Sequence, residues 1–206
     1  LTGTEFDEPP AVQTLSSQLL LEACLETITL WELQPGDRIP LLTTGGTAAF
    51  AEIVLSAMLA GSTIILLGEG ELAATLRNAR PSHLRLTSAQ WRSWTTGLRG
   101  ERAAFPDSLR CVCIERKVLA PAIHRQWQEI NDGRARTIFF SSPVGFSGLS
   151  VNYEAGDRPG FSVSIAEVPL GTPRAGIAAR LIDSAGHLIP PRYPGRLTIQ
   201  LRDHAE

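Results

Sequence analysis

Between residues 37 and 142, short apolar or β-branched runs alternate with segments of helical period, and no other feature limits the possible folds as much. DRIPLLT (37–43) reads as a strand, AAFAEIVLSAMLA (48–60) as a mostly apolar helix closed by Gly61, and STIILL (62–67) as a buried strand. ELAATLRNAR (71–80) is a helix stopped by Pro81, HLRLTS (83–88) a strand, AQWRSWTTGL (89–98) a helix and LRCVCI (109–114) a strand. PAIHRQWQEI (121–130) carries Pro121 in its first turn, where a missing N–H costs nothing, and RTIFFSS (136–142) follows as a strand. Upstream, TLSSQLLLEACLETITLWEL (14–33) places Leu15, Leu19, Leu25 and Ile28 at helical spacing and stops before Pro35-Gly36. Sustained alternation of this kind predicts an α/β fold, with a doubly wound, mostly parallel sheet flanked by helices.

Beyond residue 148 the pattern changes. LSVNY, FSVSIAEV, GIAARLIDSAGHLIP and GRLTIQL are separated by Gly and Pro and contain no helical stretch, and DSAG (183–186) has the composition of a hairpin connection. The expected organisation is an α/β lobe over 1–148 and a smaller β-rich lobe over 149–206, both parts of one core. A chain of 206 residues with 43% hydrophobic content is long enough to bury such a core.

Charge excludes several partners. The net charge is −2 and no Lys/Arg run occurs, so there is no electrostatic footprint for nucleic acid or for an anionic membrane. The longest apolar stretch, AEIVLSAMLAGSTIILL, is interrupted by Glu52, Gly61 and Ser62 and is unsuited to spanning a bilayer. There is no signal-peptide pattern. Cys24, Cys111 and Cys113 are odd in number, lie in apolar runs and lack C-x-x-C spacing, which points to reduced, buried thiols and a cytoplasmic location. Met58 is the only methionine, so the sequence is expected to be part of a longer polypeptide, and Lys117 is the only lysine.

Local motifs are weak. GEGELA (68–73) fits G-x-G-x-x-A formally, but Glu69 and Glu71 would face a pyrophosphate, so a helix-entry turn is the expectation. GFSG (145–148) lacks the full nucleophile-elbow frame and precedes a strand, which makes it a turn. His83, His124, His187 and His204 show no metal-ligand spacing, and Trp31, Trp91, Trp94 and Trp127 are expected to pack the lobe. The opening LTGTEFDEPPAV looks like a phosphate loop stripped of its glycines and lysine, with Glu5, Asp7 and Glu8 set where a polyphosphate would lie.

Taken in order, these segments resemble the adenylation domains of nonribosomal peptide synthetases, within the adenylate-forming enzymes. LQPGDRIPLL is similar to the turn and strand after the family's phosphate-loop helix, and FAEIVLSAMLAGSTIIL to its next helix and strand. LRCVCIERKVLAPAIHRQWQEI resembles the region of its Gly-Gly-Glu turn, and GTPRAGIAARLIDSAGHLIPPRYPGRLTIQL its hairpins ending in Gly-Glu-Leu.

The resemblance fails where the family binds ATP. Gly3, Thr4, Pro9 and Ser16 match the phosphate-loop region, whereas Phe6, Pro10, Ala11 and Ser17 stand at its Gly, Lys, Gly and His positions. SSPVG (141–145) replaces the Tyr-Gly-Pro-Thr-Glu loop, retaining Pro143 but placing Val144 and Gly145 where Mg²⁺ would need oxygen donors. Glu115-Arg116-Lys117 replaces Gly-Gly-Glu, and GGTAAF around Thr47 has no acid for a substrate amino group. The sequence also lacks the family's ribose-binding Asp loop and mobile C-terminal lobe.

The resemblance therefore implies a truncated, degenerate (pseudo-)adenylation domain with no catalytic residue, no cofactor-binding residue and no metal. Its expected role is a structural spacer or docking platform in a nonribosomal peptide or hybrid polyketide synthetase. The implied partners are neighbouring condensation, reductase, methyltransferase or carrier domains. Phe139, Phe140, Val144 and Phe146 are expected around the lost Mg²⁺ loop, partly as a bare apolar surface. The alternatives are a diverged ATP-dependent ligase activating an amino or other carboxylic acid for thioester loading, and a binding module using the old acyl pocket.

Overall fold

The computed structural model describes residues 14, 16–42, 47–67, 76, 78–98, 105–115, 121–142, 150–155, 171–174, 176–190 and 193–201. Helix α1 (Ser17–Trp31) starts where the Ser16 hydroxyl accepts the Leu19 N–H at 3.1 Å and stops at Glu32, which turns left-handed at φ 56°. Strand β1 (Arg38–Leu41) leads to α2 (Ala48–Ala60), capped by the Thr47 hydroxyl on the Phe50 N–H and ended by Gly61 at φ 69°. Strand β2 (Thr63–Leu66) follows. Residues 76, 78 and 79 are helical, and Arg80 at φ 47° before Pro81 ends that turn. Then come β3 (His83–Thr87), α3 (Ser88–Leu98), β4 (Cys111–Glu115), α4 (Pro121–Asn131) and β5 (Arg136–Ser141). α1 begins three residues inside the expected 14–33 segment, and β1 to β5, α2, α3 and α4 each lie within two residues of theirs.

β1 and β2 are parallel, as are β3, β4 and β5, in the registers Arg38 to Thr63, His83 to Cys111 and Cys111 to Arg136. Backbone bonds at the amino ends stitch these ladders together. Ser82 N–H donates to the Arg38 carbonyl (3.0 Å), Arg110 N–H to that of Ser82 (2.8 Å) and Arg136 N–H to that of Arg110 (2.8 Å). The β2-β1 ladder and the β3-β4-β5 ladder are separate, and the Ser82 bond to Arg38 sets β1 beside β3 in the arrangement of a doubly wound sheet.

Strand β6 (Val151–Ala155) adds antiparallel to β5, and the short β7 (Thr172–Pro173) adds antiparallel to β6. The sheet thus runs on past residue 148 before the chain enters a separate antiparallel pair, β8 (Ile177–Ile182) and β9 (Arg196–Leu201). Residues 183–186 make the expected tight connection. Asp183 Oδ1 accepts the N–H groups of Ala185 (2.8 Å) and His187 (2.9 Å), Gly186 takes φ 89°, and Ile182 bridges Leu188.

Strand alternation sends side chains to two cores. Leu84, Leu86, Val112, Ile114 and Phe139 face Trp91, Trp94 and Leu98 of α3 and Trp127 and Ile130 of α4. Cys111, Cys113, Ile138 and Phe140 face Trp31 of α1 and Ile53 and Ala57 of α2. Helices on both faces complete the α/β architecture. Phe139 and Phe140 correct the sequence reading: both are fully buried, one in each core, because successive strand residues point to opposite faces and both faces are covered. All three cysteines are free and buried, as expected. Among the described residues no helix is long and apolar enough to cross a membrane.

Candidate functional site

In an open α/β sheet, ligands gather beyond the carboxyl ends of the parallel strands. β4 and β5 are parallel, and bonds from Ser82 to Arg38 at the amino ends of β1 and β3 and from Gln90 to Leu42 past their carboxyl ends run β1 the same way, so Thr47 (after β1), Glu115 (end of β4) and Ser141-Ser142 (end of β5) come to that one edge. Gly3, Thr4, Phe6, Pro9, Pro10 and Ala11 lie outside the described residues, as do Arg116, Lys117, Pro143, Val144, Gly145 and Phe146. GEGELA, GFSG and His204 lie outside them too.

What is described of the edge is tied down by its own side chains. Thr87 and Gln90 form a reciprocal cap at the start of α3. The Gln90 N–H donates to Thr87 Oγ1 (3.2 Å), and the Thr87 N–H donates to Gln90 Oε1 (2.9 Å). Gln90 Nε2 also donates to the Leu42 carbonyl just past β1 (3.1 Å), and Ser88 Oγ donates to the Glu115 carbonyl at the end of β4 (2.5 Å). The Thr47 hydroxyl accepts the Phe50 N–H of its own helix at 3.1 Å. The side chains of Thr87, Ser88 and Gln90 thus serve the fold. Among the described residues, no three His, Cys, Asp or Glu side chains are grouped to hold a metal ion.

Polar clusters also lie away from that edge, among them Arg136 with Glu154 and Glu32. At the amino edge, Asp37 receives the Arg110 guanidinium at 2.6 and 2.7 Å and the Gln34 N–H at 2.8 Å. Burial opposes ionisation of Asp37, but these donors and Ser82 outweigh it and hold the carboxyl below its ordinary value. His83 is 1% exposed, and its Nε2 lies 2.9 Å from the Trp31 carbonyl. That oxygen takes Nε2–H, which leaves Nδ1 2.9 Å from Ser82 Oγ and 3.8 Å from Asp37 Oδ2. Burial pushes its pKa down. This histidine is a satisfied core residue, as the sequence suggested, while His187 is exposed beside Asp183.

A further cluster was not anticipated. Glu52, fully buried on α2, accepts from Arg85 Nη1 of β3 (2.9 Å) and from Thr27 Oγ1 of α1 (2.8 Å). Arg174, between β7 and β8, donates to Glu26 (2.6 Å), the Ala23 carbonyl (3.1 Å) and Thr27, and lies 3.7 Å from Glu52. The Arg85 guanidinium stacks 4.6 Å from the Phe140 ring centre. A lone carboxylate inside AAFAEIVLSAMLA was the available sequence signal, since a buried charge requires a partner. Two carboxylates and two guanidiniums balance, and the cluster joins elements rather than presenting a charge to a substrate.

No family model matches the sequence, and no curated protein matches it. The fold does have solved counterparts. CmiS6 superposes with a TM-score of 0.71 at 15% identity over 90% of this chain and 44% of its own. The Klebsiella oxytoca NpsA N-terminal subdomain, solved in complex with 3-hydroxybenzoyl-AMSN, gives 0.68 at 15% identity over 90% and 47%. VinN gives 0.68 at 16% over 93% and 48%. The chain therefore has the α/β fold of the N-terminal part of adenylation domains and adenylate-forming enzymes. It spans less than half the length of the solved chains it matches.

Proposed function

We propose that this chain is a catalytically inactive adenylation-like domain that acts as a structural spacer or docking platform beside neighbouring domains of a cytoplasmic peptide or hybrid polyketide synthetase. The observation that carries the reading is the chemistry of one edge. The fold that supports adenylation elsewhere is kept, while the sequence at its ligand edge lacks every charged phosphate, metal and amine contact the resemblance calls for. No lysine precedes Lys117, and Val144 and Gly145 offer no side-chain oxygen to Mg²⁺. The side-chain bonds of Thr47, Thr87, Ser88 and Gln90 support the same reading, since they commit the described edge to holding strands and helices together. A platform needs packed cores and an exposed surface, and it needs no nucleotide.

Isothermal titration of the chain with ATP and Mg²⁺ tests this. The expected result is no saturable heat, and sub-millimolar binding would overturn the reading. A diverged ATP-dependent ligase is the rival reading. It is favoured by the fold it shares with NpsA, whose N-terminal subdomain holds an acyl-AMSN compound.

A further inference from the structure

The described residues between Gly171 and Leu201 are packed unlike the sheet they adjoin. β3, β4 and β5 each bury four consecutive residues, whereas Ile177 alone is buried among the described residues of β8, β9 and their connection. Among the described strands, β8 and β9 pair only with each other. A two-stranded ladder with so little apolar cover has marginal stability by itself, and such regions open before the rest of a fold. The strand that leads into it is equally slight. β7 adds two exposed residues to the outer edge of β6, and the second, Pro173, has no N–H to donate.

Arg174, the next residue, is the exception. Its side chain is 1% exposed and reaches into the α1–α2 layer, where Nε donates to Glu26 (2.6 Å) and Nη2 to the Ala23 carbonyl (3.1 Å) and Thr27 Oγ1 (3.2 Å). Its backbone N–H donates to the Ser150 carbonyl (3.2 Å). We propose that Arg174 is a latch: β7, β8 and β9 open from the α/β core as one unit when its guanidinium leaves Glu26 and Thr27, and the core stays folded. The charges permit this. Without Arg174, Glu52 keeps Arg85 at 2.9 Å, and Glu26, 33% exposed at its side chain, is hydrated at the rim, so no carboxylate is left both buried and unpaired. Gly171, at φ 105° just before β7, supplies a hinge with no Cβ to obstruct it. The latch is independent of the scaffold reading and neither needs nor precludes nucleotide.

Amide hydrogen exchange of the 206-residue chain, read residue by residue by NMR, provides the test. In the parent chain the ladder amides of β8 and β9 should share one opening constant, from the root pair Ile177–Leu201 to the tip pair Ile182–Arg196. That constant should exceed those of β3, β4 and β5 by roughly tenfold or more. Arg174→Met keeps an apolar stem and removes the guanidinium. It should raise the β8–β9 constant by a further factor of roughly ten or more, the loss of at least one hydrogen bond to a charged group, and leave β3, β4 and β5 unchanged. Parent ladder amides that open only together with β3, β4 and β5, or that loosen only from the tip inward, overturn the proposal. An Arg174→Met chain that exchanges faster in every strand alike, in none, or that fails to fold overturns it as well.

Discussion

The two faces of the sheet are built from different chemistry. Against α3 and α4 the core is aromatic and uncharged. Trp91, Trp94, Phe105, Trp127 and Phe139 meet with ring centres 5.5–6.2 Å apart. Against α1 and α2 the core is thinner and carries Cys111, Cys113 and the Glu52–Arg85–Arg174 cluster. One face is held by area and shape, which tolerate no cavity. The other is joined by charge pairs that draw together α1, α2, β3 and the segment after β7, and such pairs specify geometry more than they stabilise it.

The largest effect should come from the aromatic face. Trp127 is 1% exposed, touches Trp91, Trp94 and Phe105, and donates its Nε1–H to Thr137 Oγ1 at 3.0 Å. Trp127→Ala should cost about 3–5 kcal/mol in denaturant unfolding, through the lost area and the cavity. A cost under about 1 kcal/mol would mean that this face collapses around the gap.

On the ionic face the contrast is between breaking a pair and replacing it. Glu52→Ala leaves Arg85 buried without its carboxylate and should cost about 3 kcal/mol or more. The double variant Glu52→Leu/Arg85→Met should recover most of that loss. If the double variant is as unstable as the single one, the cluster contributes stability in its own right and the contrast between the faces disappears.

Acid should act next, through the amino-edge cluster. His83 has a lowered pKa when folded, so its contribution is complete above the ordinary value of 6.5 and is lost as pH falls below it. Asp37 is also lowered, so a further loss sets in as pH falls below 3.8. His83→Gln should remove the first phase of a stability–pH curve and leave the second. A curve that stays flat from pH 7 to pH 5 in the parent chain would contradict the lowered pKa of the buried ring.

The smallest effect concerns the thiols. Burial pushes Cys111 up to about 12 and Cys113 higher still, so neither forms a thiolate at neutral pH. Native protein should react with a disulfide reagent far more slowly than the unfolded chain. Rapid labelling of either cysteine would show that the α1–α2 face opens.

These contrasts also separate what was legible in the sequence from what was not. The elements were legible because their signals are local: Pro35-Gly36, Gly61, Pro81 and Pro121 punctuate runs of clear period, and DSAG turned where its composition said it should. The roles of Phe139 and Phe140 were misread because a strand covered on both faces shows no alternation of polar and apolar residues to tell surface from core. The ionic cluster was hidden by distance along the chain. Arg174 and Glu26 are 148 residues apart, and no local pattern pairs them. At the candidate site, residue identities along the carboxyl edge could be read directly, but the shared direction of β1, β4 and β5 was needed to bring Thr47, Glu115 and Ser141 to one side.

The proposed role rests on the chemistry of that edge, and pyrophosphate exchange measures it most directly. Electrostatic contacts to a transition state are each typically worth roughly a hundredfold or more in rate, and residues that act as a unit are not rescued one at a time. The chain, incubated with ATP, Mg²⁺ and a panel of amino and aryl acids, should incorporate label at the rate of a protein-free control, and Gly145→Glu should leave it there. Exchange above the control with any acid, in the parent chain or in that single variant, would contradict an inactive platform and point to the ligase.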